Sequence, residues 1–268
     1  MTMSEIATLN SNIHKTKPFW LKKTSNKAVL FIHAFSSSPA PMNGFADVLA
    51  KRGIAVKSVV LPGHCSHPDE LLKYAPEDWY FHAKEALAEL ARFHKEVYIV
   101  GVSFGGNLAL DLAITNKDKI AGILCIETPA WIKNQIILRT AMFFTKPFKK
   151  YWAKSWVEST EEQGWMDQDG VYKKVPISTT WQVLNYIDAQ RKRLGKVRVP
   201  TLLVQSKNSN LVSPENAEYI LDQLSAPKKE IFWIDTKDHS FFSHQEKEKV
   251  FRKALEFFEI TDTTAFER

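Results

Sequence analysis

Residues 97–115 read VYIVGVSFGGNLALDLAIT, an apolar run that becomes an apolar helix pattern with a single serine between the two. The run Val97–Val102 has the length and β-branched content of a buried strand, and Phe104–Thr115 follows as a helix with almost no turn. Few folds accommodate so abrupt a handover. It belongs to sheets buried on both faces, where each strand feeds a helix that packs back onto the sheet.

The rest of the chain repeats the alternation. Lys27–His33 reads as a strand and is followed by the helix Asn43–Arg52, which stops at Gly53. Ile54–Val60 is a strand ended by Pro62-Gly63, and Glu77–Phe93 has helical apolar spacing. Ile120–Ile126 is a further strand. After a long break, Thr201–Gln205 and Glu230–Ile234 read as strands, with helices from Pro214 and over Glu246–Glu259. The expectation is an α/β fold with a mainly parallel sheet flanked by helices. Residues 1–128 and 197–268 form its core, and 129–196 form a helical cap inserted after the strand ending near Ile126.

The charge of the chain is concentrated in that break. From Thr128 to Val157 stand Lys133, Arg139, Lys146, Lys149, Lys150 and Lys154 with no acidic residue, a local excess equal to the net +6 of all 268 residues. Large apolar residues are interleaved, among them Trp131, Ile136, Ile137, Phe143, Phe144 and Phe148. The expected arrangement is a helix packing its apolar face inward with its lysines in water. The competing one is a lid that meets an apolar or anionic partner, including an interface.

Other classes fall away on simple grounds. No run approaches the roughly 18 apolar residues of a membrane-spanning helix. The start, MTMSEIATLNSN, lacks the basic and apolar regions of a signal peptide. Two cysteines, Cys65 and Cys125, make no disulfide framework and fit a reducing cytoplasm. No basic block or recognition motif points to nucleic acid. No dinucleotide fingerprint or P-loop calls for a cofactor. His64, Cys65 and His67 lie close together, but so short a run needs further ligands before it holds zinc.

The residues that carry chemistry begin with Gly101-Val102-Ser103-Phe104-Gly105. A G-x-S-x-G sequence between strand and helix puts the serine on a sharp elbow at the strand's C-terminal end, and the next backbone N–H, of Phe104, faces a developing oxyanion. A serine nucleophile needs a histidine base. His239, in Asp238-His239 just past the last strand, is best placed, and His244 is its nearest competitor.

With these motifs on hand, the chain resembles the α/β-hydrolases, and within them the small bacterial carboxylesterases related to monoacylglycerol lipases. Ala28–His33 leading into His33-Ala34-Phe35 is similar to the family's first core strand and His-Gly-Phe oxyanion loop. Pro62-Gly63-His64 resembles its structural Gly-His turn, and Gly101–Gly105 its nucleophile elbow. The resemblance implies Ser103 as nucleophile, His239 as base and the N–H groups of Phe35 and Phe104 as the oxyanion hole. Two departures stand out. Ala34 replaces the usual glycine, which is harmless only if its φ is negative. The loop after Thr201–Gln205 reads Ser206-Lys207-Asn208-Ser209-Asn210, so Ser209 stands where the family carries its acid. The acid is then either Glu127, at the end of the strand Ile120–Ile126, or Asp235, or absent, leaving a dyad with Ser209 or Asn210 beside the ring.

The expected activity is cleavage of carboxylic esters of short- to medium-chain or monoacylglycerol-like type, through an acyl-enzyme on Ser103. Trp131 and His33 are candidate substrate contacts. No metal or other cofactor is required. The alternatives are a catalytically impaired homologue that binds ligands, and a thioesterase or acyltransferase on the same scaffold.

Overall fold

The computed structural model describes residues 17–154, 170–236 and 244–260. Its strands are β1 (Trp20–Leu21), β2 (Lys27–Ile32), β3 (Ala55–Ser58), β4 (Glu96–Val102), β5 (Ile120–Ile126), β6 (Tyr151–Ala153), β7 (Lys174–Pro176), β8 (Thr201–Ser206) and β9 (Lys229–Ile234). The α-helices are α1 (Asn43–Lys51), α2 (Pro76–Leu90), α3 (Phe104–Thr115), α4 (Gln135–Thr145), α5 (Ile177–Arg191), α6 (Glu215–Gln223) and α7 (His244–Phe257). Every strand and helix expected from the apolar pattern is present, with ends shifted by at most three residues. The two-residue β1 was missed because so short a segment carries no periodicity.

Seven strands form one sheet in the order β1-β3-β2-β4-β5-β8-β9, parallel except for β1. From β2 the chain crosses first to β3 on one side and then to β4 on the other. The helices after β2 and β4 pack on opposite faces of the sheet, and sheets of this kind bind ligands at such a reversal, at the strands' C-terminal ends. The loop after β2 and the serine after β4 both lie there.

Two apolar layers sandwich the sheet. On one face Phe45, Ala46 and Leu49 of α1 meet Val250, Phe251 and Ala254 of α7, with Phe45 and Phe251 stacked at 4.4 Å. The other holds Trp79, Leu87, Leu108, Ile220 and Leu224 from α2, α3 and α6 with its flanking turn. Phe104 to Ala113 of α3 are buried without a break. That explains its nearly uniform apolar sequence, since a helix with no polar face is stable only when enclosed.

Between β5 and β8 lie α4, the antiparallel pair β6–β7 and α5. This stretch has a small core of its own, Met142, Ile177 and Leu184 with Ile132, Leu138, Trp152 and Trp181 around it. One expectation here is corrected. The outward face of α4 carries Ile136, Ile137, Phe143 and Phe144, all exposed, where lysines in water were expected. The lysines Lys146, Lys149 and Lys150 follow the helix instead of covering it.

Candidate active site

Ser103 sits between β4 and α3 with φ 51° and ψ −120°, a conformation that strains any residue with a side chain. The surroundings hold it there. Its N–H donates to Ile126 O at 2.7 Å, and Gly106 N–H donates to Ser103 O at 2.8 Å. Close backbone contact explains the flanking glycines. A Cβ on Gly101 would strike the carbonyl of Gly105, and one on Gly105 would strike those of Ile32 and His33. The elbow is therefore pressed directly against the end of β2.

That contact sets the start of α3, with Phe104, beside the end of β2 that leads into the loop of Phe35. Phe104 opens α3, so its N–H is among the four that have no acceptor inside the helix. The Phe35 N–H belongs to the Ala34–Phe35 peptide, whose plane is held from its other side. Ala34 O accepts from His33 Nδ1 at 2.8 Å and from Ser37 N at 3.2 Å. Because no peptide bond here is cis, the Phe35 N–H points away from that carbonyl. Ala34 itself is not among the positive-φ residues. The left-handed residue of the loop is Ser36, at φ 57°, and its hydroxyl donates to Phe35 O at 2.6 Å. Alanine is thus tolerated where the resemblance led one to look for glycine.

His33 has a different place from the one expected of a substrate contact. It is buried, and its Nε2 accepts the Leu61 N–H at 3.0 Å, so Nδ1 carries the proton it donates to Ala34. Burial pushes the imidazole down to about 4, keeping it neutral. Both nitrogens are spent on backbone, and the ring ties the loop after β2 to Leu61. His64 packs edge-on to it at 4.9 Å, and burial holds that ring too well below the usual histidine range. His64 Nδ1 turns to Leu61 O at 3.1 Å, while His67 caps the 3-10 turn Pro68–Lys73 at the surface, so the two do not converge on a metal. Among the described residues, no group of three or more His, Cys, Asp or Glu side chains is arranged to hold one.

Glu127 follows β5 with φ 49°, and its side chain is wholly buried. Its Oε1 accepts from Gln205 Nε2 at 3.1 Å and from the Ser206 N–H. A buried carboxylate needs such donors, because unsolvated charge costs several kcal/mol. Ser206 in turn donates its hydroxyl to Thr236 O. The carboxylate thus reaches from β5 across to Gln205 and Ser206 at the end of β8, and Ser206 links it to Thr236 just past β9. His239 and Asp238 lie outside the described residues.

The other candidates are arranged differently. Ser209 is buried, and its Oγ accepts from Val212 N at 3.3 Å. Asn210 is exposed. Asp235 is exposed too and accepts from Asn208 Nδ2 at 2.6 Å. Trp131 is half-buried against Tyr219 at 5.3 Å. Asn216 Oδ1 accepts the N–H groups of Ala130 and Trp131 at 2.7 and 2.8 Å. Gln205, Ser206 and Asn216 thus brace the site, yet none belongs to a motif. Their partners are about 80 residues away in sequence.

The sequence pattern of the serine aminopeptidase S33 family (Hydrolase_4) matches residues 23–247. The chain belongs to this family. It is 27% identical over 248 residues to the carboxylesterase of Bacillus subtilis (strain 168), covering 92% of this chain and 97% of that protein. To the thermostable monoacylglycerol lipase of Bacillus sp. (strain H-257) it is 25% identical, covering 86% and 89%. Among solved structures, one reported for the metagenome-derived lipolytic enzymes LipS and LipT superimposes with a TM-score of 0.79 at 22% identity, over 93% of this chain and 99% of that one. The monoacylglycerol lipase of Paleococcus ferrophilus gives 0.75 at 14% identity, over 91% and 98%. The fold is that of the α/β-hydrolases, and this member of the S33 family is a serine hydrolase of the esterase and lipase type. No described helix is long and apolar enough to cross a membrane.

Proposed function

We propose that this hydrolase cleaves neutral carboxylic esters of short to medium acyl chains or monoacylglycerol type, using Ser103, His239 and Glu127 as its triad. Ser103 attacks the carbonyl while His239 takes its proton, and the oxyanion receives the N–H groups of Phe35 and Phe104. His239 returns the proton to the leaving alcohol, and water then releases the acid by the same route. Glu127 steadies the imidazolium in both halves.

The observation that carries this reading is the buried, left-handed Glu127, whose carboxylate is tied to Ser206 and through it to Thr236. Burying a carboxyl group in that place is costly unless its oxygens are bonded, as Oε1 is to Gln205 and Ser206. The stretch 129–196 is assigned as the cap over the acyl site. Tyr172 within it donates its N–H to Ser36 O at 2.9 Å and its hydroxyl to Gly63 O at 2.9 Å, fastening the stretch over the oxyanion loop. Trp131, at the start of the cap, is assigned to the wall of the acyl site. The curated relatives that the chain resembles, a carboxylesterase and a monoacylglycerol lipase, support the ester class. Two free thiols, Cys65 and Cys125, agree with a reducing cytoplasm as the setting.

The test is hydrolysis of p-nitrophenyl butyrate together with labelling by a fluorophosphonate probe. Wild type is expected to turn over and to label, and Ser103→Ala to do neither. Equal rates in the two proteins would refute the assignment.

A further inference from the structure

The outer surface of α4 breaks the rule that a helix on a water-facing side shows polar residues there. Its inner side packs Met142 and Leu138 into the small core of its own stretch. On its opposite side Ile136 is 81% exposed, Ile137 69%, Phe143 67% and Phe144 67%, and Phe148 just beyond the helix reaches 88%. Helical spacing puts Phe143, Ile136, Phe144 and Ile137 in one arc, interrupted only by Thr140. At roughly 150–250 Å² for each large side chain, this leaves on the order of 700 Å² of apolar surface in water. The largest patch on a typical monomer is about 300–600 Å², so this one marks an interaction site.

Charge around the patch selects the partner. Lys146 and Lys149 flank the phenylalanines and are exposed, and Lys133 stands exposed before the helix. Lys146 and Lys149 have no carboxylate partner among the described residues, whereas Lys133 stands within electrostatic reach of Glu215. Arg139 and Lys150 are set apart from them, being held by Asp188 at 2.7 Å and Asp69 at 2.5 Å. No acidic residue occurs from 128 to 157. Lys146, Pro147 and Phe148 join Phe143, Phe144 and Trp181 around an open hollow of about 550 Å³, so cation and apolar surface form one feature. Aromatic and aliphatic groups at the centre with lysines at the margin are the composition of helices that lie in the headgroup region of a bilayer. A second copy of the chain would bring the same unpaired cations against these, and like charges across an interface suppress pairing.

We infer that α4 and the segment through Lys149 form a docking surface for an anionic lipid bilayer, Phe143, Phe144 and Phe148 entering the interface while Lys146 and Lys149 meet lipid phosphates. This goes beyond the hydrolase assignment and does not depend on it. The surface contains none of the residues assigned to chemistry, and it leaves by way of the Glu127–Trp131 segment from the sheet edge that carries Ser103.

The experiment is sedimentation of the full chain with phosphatidylglycerol-containing vesicles and with pure phosphatidylcholine vesicles. Hydrolysis of p-nitrophenyl butyrate in solution is measured beside it. Wild type is expected to bind the anionic vesicles at least tenfold more tightly, with binding falling as salt rises past ~0.15 M, where charges are screened beyond about 8 Å. Phe144→Ser/Phe148→Ser should lose at least tenfold on anionic vesicles. Lys146→Glu/Lys149→Glu should lose the preference for them. Both variants should keep wild-type rates on the soluble ester, which separates this surface from the assigned site. Equal binding of wild type and both variants would overturn the proposal. So would a wild type that ignores vesicles and forms a dimer abolished by Phe144→Ser/Phe148→Ser, which would assign the patch to a second copy. A third refuting result would be vesicle binding that appears only in Glu158→Gln/Glu161→Gln/Glu162→Gln, which would assign the patch to the chain's own acidic stretch 158–169.

Discussion

Replacing Glu127 by glutamine isolates the charge of the carboxylate from its structural bonds. A glutamine keeps an Oε1 that accepts from the Ser206 N–H and Gln205 Nε2, so the links to β8 survive. What disappears is the negative charge offered to an imidazolium. Loss of that charge beside a catalytic histidine costs about 10⁴ in turnover in serine proteases, about 5 kcal/mol of transition-state stabilisation. Glu127→Gln should therefore lower kcat by 10²–10⁴ while KM stays within about threefold and Tm within about 2 °C. Glu127→Ala adds a structural loss. It leaves the buried Ser206 N–H without its acceptor at about 2 kcal/mol, or roughly 4–8 °C in Tm for a chain of this size, while Gln205 Nε2 keeps Ser206 O and Val212 O. Steady-state kinetics on p-nitrophenyl butyrate with parallel thermal unfolding read both quantities. Adding a carboxylate by Ser209→Asp should give no gain, because one acid already serves the ring. A Glu127→Gln enzyme within threefold of wild type, together with a faster Ser209→Asp enzyme, would refute the reasoning and establish a dyad.

Two further outcomes follow from the oxyanion loop. His33 has its folded pKa at about 4, below the ordinary 6.5 of the unfolded chain, so the unfolded state binds more protons between those values. Its contribution is complete above about pH 6.5 and is lost as pH falls toward 4. Urea unfolding between pH 7.5 and 4.5 should therefore show a slope that His33→Asn makes shallower by about one proton, roughly 1.4 kcal/mol per pH unit, with an unchanged slope as the refuting result. Ala34→Gly should leave kcat/KM within about twofold and cost up to ~1 kcal/mol in unfolding free energy, because Ala34 is not at positive φ. A large gain in activity would show that alanine distorts the loop.

Much of this protein is determined by its sequence alone, because much of it depends on near neighbours. Strand and helix periods fall within windows of six to fifteen residues, and β4, α3 and β5 were legible to within a residue. The elbow at Ser103 is equally local, since Gly101 and Gly105 lie within two positions of it. Only the tertiary structure decides the rest. Nothing in the sequence says that β5 lies beside β8, the adjacency that sets the Glu127 carboxylate on Gln205 and Ser206. The burial of His33 was hidden for the same reason, because its Nε2 is bonded to Leu61, 28 residues further on. The apolar and basic character of α4 was plain in the sequence, but which face it turns to water was not. Periodicity tells a helix how many faces it has, and only packing against α5 chooses the one that Met142 and Leu138 bury.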